Sequence, residues 1–397
     1  MPIKNFLSRK LTYLFSWEGA AFLFMIYMLY TKIYGDARYM GLTFAMCLCI
    51  LQVYKKNYWD GVATKIVLFS VLYSLLGLFH YPDVSRFWLF YFAISPVFFY
   101  LFGKIVVVKV KSDNDLIFFW WLAALALGIV IYQTIGYSGT IVSVDDTGER
   151  SFHLTKNSDG ISATAIGTFV SLGLVGLGAS LYSVKGLIKR SLWMILFLLS
   201  ISTVVYLINR TGLYVSVAVV LSMAWLKGGG NLSRVLPYLL IAIVFVVIVI
   251  NSGLVEGTVF QMYEIRSEQD TFGDRVERWG KGFIYLFQYP LGWGHLKSTF
   301  DGYMHNLWLD IARRGGIVCF LLFVSVTYAS LRQLLQLLKR KRTSFIIFGS
   351  GLYICFFLSS MIEPIIDVLP QYMMLFLLLC GMLKQYKIKQ YPNDIRK

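Results

Sequence analysis

Apolar runs about as long as a membrane is thick recur along this chain and constrain its fold more than any other feature. A transmembrane helix needs roughly 20 mainly apolar residues, and hydrophobic residues make up 57% of the 397 positions. Charged residues make up 15%, whereas a soluble domain carries about 25%. We therefore expect an all-α, polytopic transmembrane helix bundle and not a soluble enzyme.

About twelve runs are long enough to be spans. They lie at about 13–31, 39–54, 62–80, 86–103, 115–136, 161–183, 191–208, 211–226, 235–252, 315–338, 344–362 and 367–383. The chain is thus divided into residues 1–252 with spans 1–9, a large loop over 253–314, residues 315–383 with spans 10–12, and a basic tail over 384–397. The seventh and eighth spans are separated only by Asn209–Gly212, so they form either a tight hairpin or one interrupted element.

The distribution of Lys and Arg predicts how the bundle is oriented. The net charge is +16, and most basic residues fall in alternate short loops, which is the positive-inside pattern. Both termini are then cytoplasmic, while the loop near 137–160 and the 253–314 loop lie outside. In a soluble protein this charge would indicate nucleic acid, but no basic face or basic motif interleaved with aromatic residues is present, so no nucleic-acid partner is predicted.

Residues 253–314 form the longest polar interruption in the chain. A membrane protein keeps so much polar surface in one place only where that surface has a task. The segment contains the candidate residues Arg275, Arg278, Trp279, Trp293, His305 and Asn306. We therefore expect the functional site in this loop.

Arg210 is the strongest single candidate for a functional residue, because it lies between two apolar runs. A guanidinium group at membrane depth is costly and needs an anionic partner or a wet cavity. Thr211 and Gly212 permit close approach of the backbone. We predict a functional contact with an anion, and a snorkelling arginine at the membrane interface is the alternative.

Arg275 and Arg278 are candidates for binding phosphate, which planar guanidinium groups can grip in bidentate fashion. If this segment is helical, Arg275 and Trp279 lie one turn apart and share a face. Neutralisation of the arginines by Asp274 and Glu277 is the alternative.

His305 is the candidate base. A hydroxyl nucleophile needs a base to take its proton, and an imidazole can accept a proton near neutral pH. His305 also precedes Asn306 and an apolar run. We predict a catalytic or substrate-binding role. A structural role at the membrane interface is the alternative, and His295 is the rival base.

Other polar features have simpler interpretations. The Tyr289–Gly294 turn is predicted to be structural, because proline ends a helix and glycines allow a tight reversal. Asp145 and Asp146 could bind a cation or sugar hydroxyls, but a solvated loop is favoured. The five cysteines all fall in apolar runs without metal-ligand spacing to a histidine, so we predict neither disulfides nor a metal site.

The order of these motifs resembles the O-antigen ligase and O-antigen polymerase superfamily of bacterial envelope glycan assembly. The resemblance covers roughly residues 191–335. The pieces that carry it are Asn209–Gly212, Gly273–Arg275 with Trp279, Tyr289–Gly294, His305–Asn306 and Gly315–Ile317.

This resemblance implies a GT-C-like bundle with a large, partly helical outer loop, in the bacterial inner membrane. It implies a metal-independent glycosyltransferase without a cofactor, whose donor is an undecaprenyl-pyrophosphate-linked oligosaccharide. His305, Arg210 and Arg275 would be catalytic, with the active site periplasmic. The implied substrate-binding residues are Asn209, Arg278, Trp279, Trp293 and Asn306. A chain-length regulator and a flippase are the implied protein partners.

Departures from the ligase signature favour a polymerase. Cys319 stands where ligases have Gly, Thr or Tyr, and Tyr214 stands where they have leucine. Asp274 also separates Gly273 from Arg275. The run from His305 to Asp310 is more similar to polymerases. We therefore expect an O-antigen polymerase, with an O-antigen ligase that transfers glycan to lipid A core as the alternative.

A polytopic transporter or lipid flippase is the alternative of another class, since about twelve spans suit either. Transporters usually contain repeats, whereas no repeat is visible here and the basic cluster lies at one face. Glu18, an acid inside a span, is the candidate for proton coupling. A non-enzymatic assembly partner is a further alternative.

Overall fold

A computed structural model describes residues 58–80, 86–109, 112–113, 116–117, 143–144, 150–152, 161–162, 167–168, 171–172, 175, 210–227, 271–296, 303–368 and 370–392. Contacts divide the chain into two compact units. The first contains the described parts of Met1–Leu116, Trp279–Gln336 and Pro364–Lys397, and the second those of Ile117–Arg278 and Leu337–Glu363.

Helices make up most of the described residues. They are α1 (Gly61–His80), α2 (Arg86–Lys109), α3 (Arg210–Lys227), α4 (Thr271–Gln288), α5 (Leu307–Arg340), α6 (Ser344–Ile362), α7 (Ile365–Val368) and α8 (Pro370–Gln390). Four of these, α1, α2, α5 and α6, are long and apolar enough to cross a membrane. The described residues are therefore those of a helical, membrane-spanning protein.

A small sheet departs from the all-α expectation. The strands β1 (Ser143–Val144), β2 (Arg150–Phe152) and β3 (Ile161–Ser162) are antiparallel neighbours in the order β1-β2-β3. Ser151 pairs with Ser143 on one side and with Ser162 on the other. Strands of two or three residues are too short for hydrophobic periodicity to reveal. Asp145 and Asp146 lie outside the described residues.

Several span boundaries agree with the sequence prediction. Helices α1, α3 and α6 begin and end within one residue of the predicted spans 62–80, 211–226 and 344–362. Helix α8 continues to Gln390, so the basic segment starts inside a helix. The predicted spans at 13–31, 39–54, 191–208 and 235–252 lie outside the described residues, as do most of those at 115–136 and 161–183.

Asp60 connects the start of α1 to α2 in the first unit. Its carboxylate accepts the N–H groups of Val62 and Ala63, each at 3.0 Å, and thereby caps α1. It also accepts the Tyr100 hydroxyl at 2.9 Å and forms an ion pair with Lys104. Burial raises the pKa of Asp60, but the hydrogen bond and charge of Lys104, with the Ala63 and Tyr100 hydrogen bonds, outweigh burial and leave this pKa below its usual range.

Two glycines bring α2 and α8 into close contact. A Cβ atom at Gly103 would overlap the carbonyl oxygen of Leu378, and one at Gly381 would overlap the carbonyl oxygen of Tyr100. Small residues at such positions let membrane helices approach backbone to backbone. The two helices can therefore pack at this distance only with glycine at these sites.

In the second unit, α3 packs against α6. Gly351 on α6 lies against Met223 of α3, where a Cβ atom would come within 2.7 Å of the sulfur. At the end of α3, Arg342 donates to the Leu226 carbonyl at 3.1 Å. Arg210 is the first residue of α3, so the predicted eighth span starts at the arginine itself.

Candidate active site around His305

His305 lies in a short turn immediately before α5. Its φ is +51°, and it is the only non-glycine residue with positive φ in the described parts of the chain. The left-handed region costs a side-chain-bearing residue about 1–2 kcal/mol, although histidine tolerates it better than most. Such a conformation persists only where surrounding contacts impose it.

The Asp310 carboxylate supplies those contacts. Its Oδ1 accepts the Met304 N–H at 2.8 Å and its Oδ2 accepts the Asn306 N–H at 3.3 Å. The residues on both sides of His305 are therefore held by one fully buried carboxylate. Asn306 is itself buried and caps α5, because its Oδ1 accepts the Leu309 N–H at 3.2 Å.

Asp310 belongs to a buried ionic cluster, the Asp310 cluster, which consists of Asp310, Arg313, Arg314 and Asp367. Arg313 Nε lies 3.8 Å from Asp310 Oδ1, and Arg313 Nη2 lies 2.8 Å from Asp367 Oδ2. Arg314 pairs with the other oxygen of Asp367. Two arginines thus face two carboxylates, which is the balance that buried charges require.

Tyr303 connects the cluster to the histidine. The Arg313 guanidinium lies over its ring, 5.6 Å from the centroid, in the geometry of a cation–π contact. The His305 ring meets the same ring edge to face, with the centroids 6.4 Å apart. Backbone and side-chain contacts therefore both couple His305 to the cluster.

Helix α4 packs against the same turn. The Trp279 indole N–H donates to the Met304 carbonyl at 2.9 Å. One turn later, Gly282 leaves room for Met304 and Leu309, since a Cβ atom there would lie 3.2 Å from the Met304 sulfur. Trp279, predicted from the sequence to bind substrate, thus contacts the backbone beside His305.

The predicted structural turn at Tyr289–Gly294 is joined to α5 by its backbone. The N–H groups of Trp293 and Gly294 both donate to the Arg313 carbonyl at 2.9 Å, and Ile317 N–H donates to the Pro290 carbonyl at 2.9 Å. Gly316, with φ +67°, interrupts α5 at this point. A non-helical residue there lets the turn reach the backbone of the helix.

Trp293 is part of the core that lies under this turn. It is 2% exposed and packs in a cluster with Leu286 and Ala312. Its described contacts are thus those of a core residue, and a role in binding substrate stays a prediction.

His295, the rival base, contacts His80 at the end of α1. The two Nδ1 atoms are 3.0 Å apart, and His80 Nε2 lies 2.9 Å from the Leu291 carbonyl. Because a carbonyl only accepts, His80 Nε2 carries a proton. In the neutral pair, His80 Nδ1 therefore accepts from His295 Nδ1. Sequence spacing gave no signal of this contact between distant residues.

The predicted anion-binding arginines fall in the second unit. Arg275 and Arg278 lie on α4, partly buried, and the helical spacing predicted for Arg275 and Trp279 is confirmed. Asn209 lies outside the described residues, and Arg210 is described only as a backbone position in α3.

No group of three or more His, Cys, Asp or Glu in the described ranges is placed to hold a metal ion, and metal independence stays a prediction. Cys319, Cys355 and Cys380 are buried free thiols, as expected of cysteines in apolar runs.

Residues 195–324 match a family model described as O-antigen ligase. The matched region includes α3, α4, the Tyr289–Gly294 turn, His305 and most of the Asp310 cluster. No curated protein matches the chain. The match supports the assignment to the O-antigen ligase and polymerase superfamily that the motif order indicated.

Proposed function

We propose that this chain, a multi-pass inner-membrane member of the O-antigen ligase and polymerase superfamily, is an O-antigen polymerase. It joins repeat units carried on undecaprenyl pyrophosphate at the outer face of the membrane, with both termini cytoplasmic. The observation that carries the proposal is the His305 turn, in which one buried carboxylate holds both neighbours of a strained histidine. Strained backbone of this kind clusters at functional sites.

The chemistry is a displacement at an anomeric carbon. A hydroxyl oxygen of the acceptor sugar forms a bond to that carbon, and the bond from the carbon to the phosphate oxygen breaks. The hydroxyl proton passes to the His305 imidazole, and undecaprenyl pyrophosphate leaves as the anion. A positioned base and fixed positive charge are the two requirements of this step.

Fixed positive charge would come from Arg210 and Arg275. Arg313 and Arg314 are nearer to His305 in sequence, but both are paired with buried carboxylates. Their charge stabilises the turn, so the pyrophosphate needs other cations. Asn209, Arg278 and Trp279 would complete the contacts to the donor, and Asn306 would hold the turn as the cap of α5.

A ligase is the second candidate, because the matching family model is described as O-antigen ligase. The sequence favours a polymerase at Cys319 and Tyr214. Cys319 is fully buried and its thiol lies 3.9 Å from the Phe69 carbonyl, whereas Tyr214 is exposed. Either enzyme would act on the same class of donor, and a flippase and a chain-length regulator would be its partners.

The test uses the full chain in lipid nanodiscs with a synthetic undecaprenyl-pyrophosphate-linked repeat unit. A ladder of longer lipid-linked glycans supports the polymerase. Transfer only to added lipid A core identifies a ligase, and no transfer to either acceptor contradicts both and favours a transporter.

The base is assigned by a matched pair of variants, His305→Ala and His295→Ala. Loss of product in the first and retention in the second supports His305. The reverse result would assign the base to His295, and full activity in both would show that neither His305 nor His295 is the base.

A further inference from the structure

Helix α4 has an exposed apolar face, although its amino-acid composition is rich in charged and polar residues. Its exposed large hydrophobic side chains are Val276, Phe283, Ile284 and Phe287, and Leu291 continues the row just beyond the helix. These five side chains, the apolar stripe, are between 50% and 71% exposed. Their spacing of three, four and seven residues places those of the helix on one face.

The rest of the helix shows why this stripe is not the side that packs against the protein. The face toward the protein carries Gly282 and Leu286, both buried. A third face, also exposed, carries Glu277, Lys281 and Gln288. The helix therefore has one side that packs against the protein, one exposed polar side and one exposed apolar side.

The C-terminal end of the stripe lies beside the residue at which the apolar part of α5 begins. The Pro290 carbonyl accepts the N–H of Ile317, and Ile317 begins the apolar part of the candidate span α5. The charged Asp310 cluster lies just before this point along α5. The Tyr289–Gly294 turn therefore lies where α5 changes from polar to apolar.

The end of the candidate span α1 lies beside the same turn. His80, the last residue of the candidate span α1, contacts the Leu291 carbonyl at 2.9 Å. Its neighbour Phe79 is 80% exposed. Further exposed apolar side chains continue along α1 from there, namely Leu75, Val71 and Leu68. The end of the apolar stripe thus lies beside the exposed apolar side chains of a candidate span.

We propose that α4 is an interfacial helix whose apolar stripe inserts into the boundary between headgroups and acyl chains, on the membrane face where α1 ends. The occupant of the stripe is phospholipid. Amphipathic helices that lie in the membrane plane combine an apolar face with a polar face carrying basic residues, and Lys281 supplies such a residue beside the stripe. This inference does not depend on the reaction catalysed.

Site-specific photocrosslinking tests the inference on the full chain. Phe287 is replaced by p-benzoylphenylalanine, and the protein is reconstituted in vesicles of phosphatidylethanolamine and phosphatidylglycerol. Phe283 gives a second stripe variant, Gln288 gives the matched control on the polar face, and Leu75 of α1 gives the lipid-facing reference. The replacement is itself aromatic, so it resembles the exposed phenylalanines that it substitutes. A size-exclusion profile equal to that of the parent protein verifies that each variant is folded.

We expect severalfold more phospholipid adduct at Phe287 and Phe283 than at Gln288, at a level near that of Leu75, with attachment to the upper acyl carbons. Adduct yields at both stripe positions no higher than at Gln288 would overturn the proposal. Adducts mainly to another polypeptide or to a second copy of the chain would overturn it as well. Because glycan transfer is not the readout, failure here is distinct from failure of the proposed enzymatic activity.

Discussion

Asp310 Oδ1 accepts the backbone N–H of Met304 at 2.8 Å, one residue before His305. The other oxygen accepts the N–H one residue after it. The histidine is therefore positioned through its backbone by a carboxylate that is buried away from water. In the proposed mechanism, position and proton transfer belong to different residues, so they can be separated experimentally.

Replacing His305 by glycine should separate the fold from the activity. Glycine adopts positive φ without the penalty that alanine retains, so His305→Gly should be more stable than His305→Ala by about 1 kcal/mol. Both variants should lose glycan transfer. Thermal unfolding in detergent and the nanodisc assay measure the two properties, and a His305→Gly protein less stable than His305→Ala would contradict the role of the backbone strain.

Asp310→Asn should lower kcat more than it changes KM. The amide keeps the size of the side chain but offers one acceptor where two N–H groups now bind, and it unbalances the Asp310 cluster. We expect kcat to fall by about tenfold or more, which corresponds to about 1.4 kcal/mol. Steady-state kinetics with the lipid-linked donor measure this change.

Asp60→Asn is the control for simple loss of stability, because Asp60 is also an ion-paired helix cap and is partly buried. It should leave the pH profile of the remaining activity unchanged, whereas Asp310→Asn should alter it by releasing the His305 turn. An unchanged profile in Asp310→Asn would show that Asp310 has only a structural role.

The stabilisation from Asp60 should depend on pH. Its folded pKa lies below the usual range, so its contribution is complete above the unfolded value of about 3.9. The contribution is lost as the pH falls through the lower folded pKa. The difference in unfolding temperature between the parent protein and Asp60→Asn should thus be full at neutral pH and vanish in acid; a difference that grows on acidification would refute this sign.

Alanine at two glycines should have opposite effects. At Gly316, with φ +67°, a Cβ atom would lie 2.8 Å from the Leu291 Cα, so Gly316→Ala should destabilise by roughly 2 kcal/mol or more. Nothing lies within 4 Å of a Cβ atom at Gly280, where alanine should stabilise α4 by about 0.5–1 kcal/mol. Unfolding temperatures that shift in the same direction for both would contradict the geometry.

The apolar runs were sufficient to predict α1, α3 and α6, because each is bounded by polar residues at both ends. They did not predict the helical segment of α5 that precedes the kink at Gly316, which begins at Leu307. The charges of Asp310, Arg313 and Arg314 lower the hydropathy of this segment, so hydropathy alone predicts a solvated loop there. In the structure they neutralise one another and Asp367, which lies far away in sequence.

Only part of the candidate site was predicted, because some of its contacts leave no pattern in the sequence. Residue type and helical spacing were enough to name His305, Arg275 and Trp279 as candidates. Trp279 contacts the His305 turn, whereas the role of Arg275 stays a prediction. The carboxylate that positions His305 could not be named in this way, because its function depends on backbone N–H groups that carry no sequence signature. Likewise, the charged residues of α4 concealed its apolar stripe, since composition averages over the three faces of a helix.

The bonds between the Tyr289–Gly294 turn and α5 also constrain the order of biosynthesis. The N–H groups of Trp293 and Gly294 donate to the Arg313 carbonyl, and the Pro290 carbonyl accepts the Ile317 N–H. Arg313 and Ile317 are both synthesised later than the turn. The turn's own bond from Gly292 N–H to the Tyr289 carbonyl can form before α5 is made, whereas its bonds to α5 need Arg313 and Ile317. A nascent chain can therefore join the turn to α5 only after the start of that helix has been synthesised.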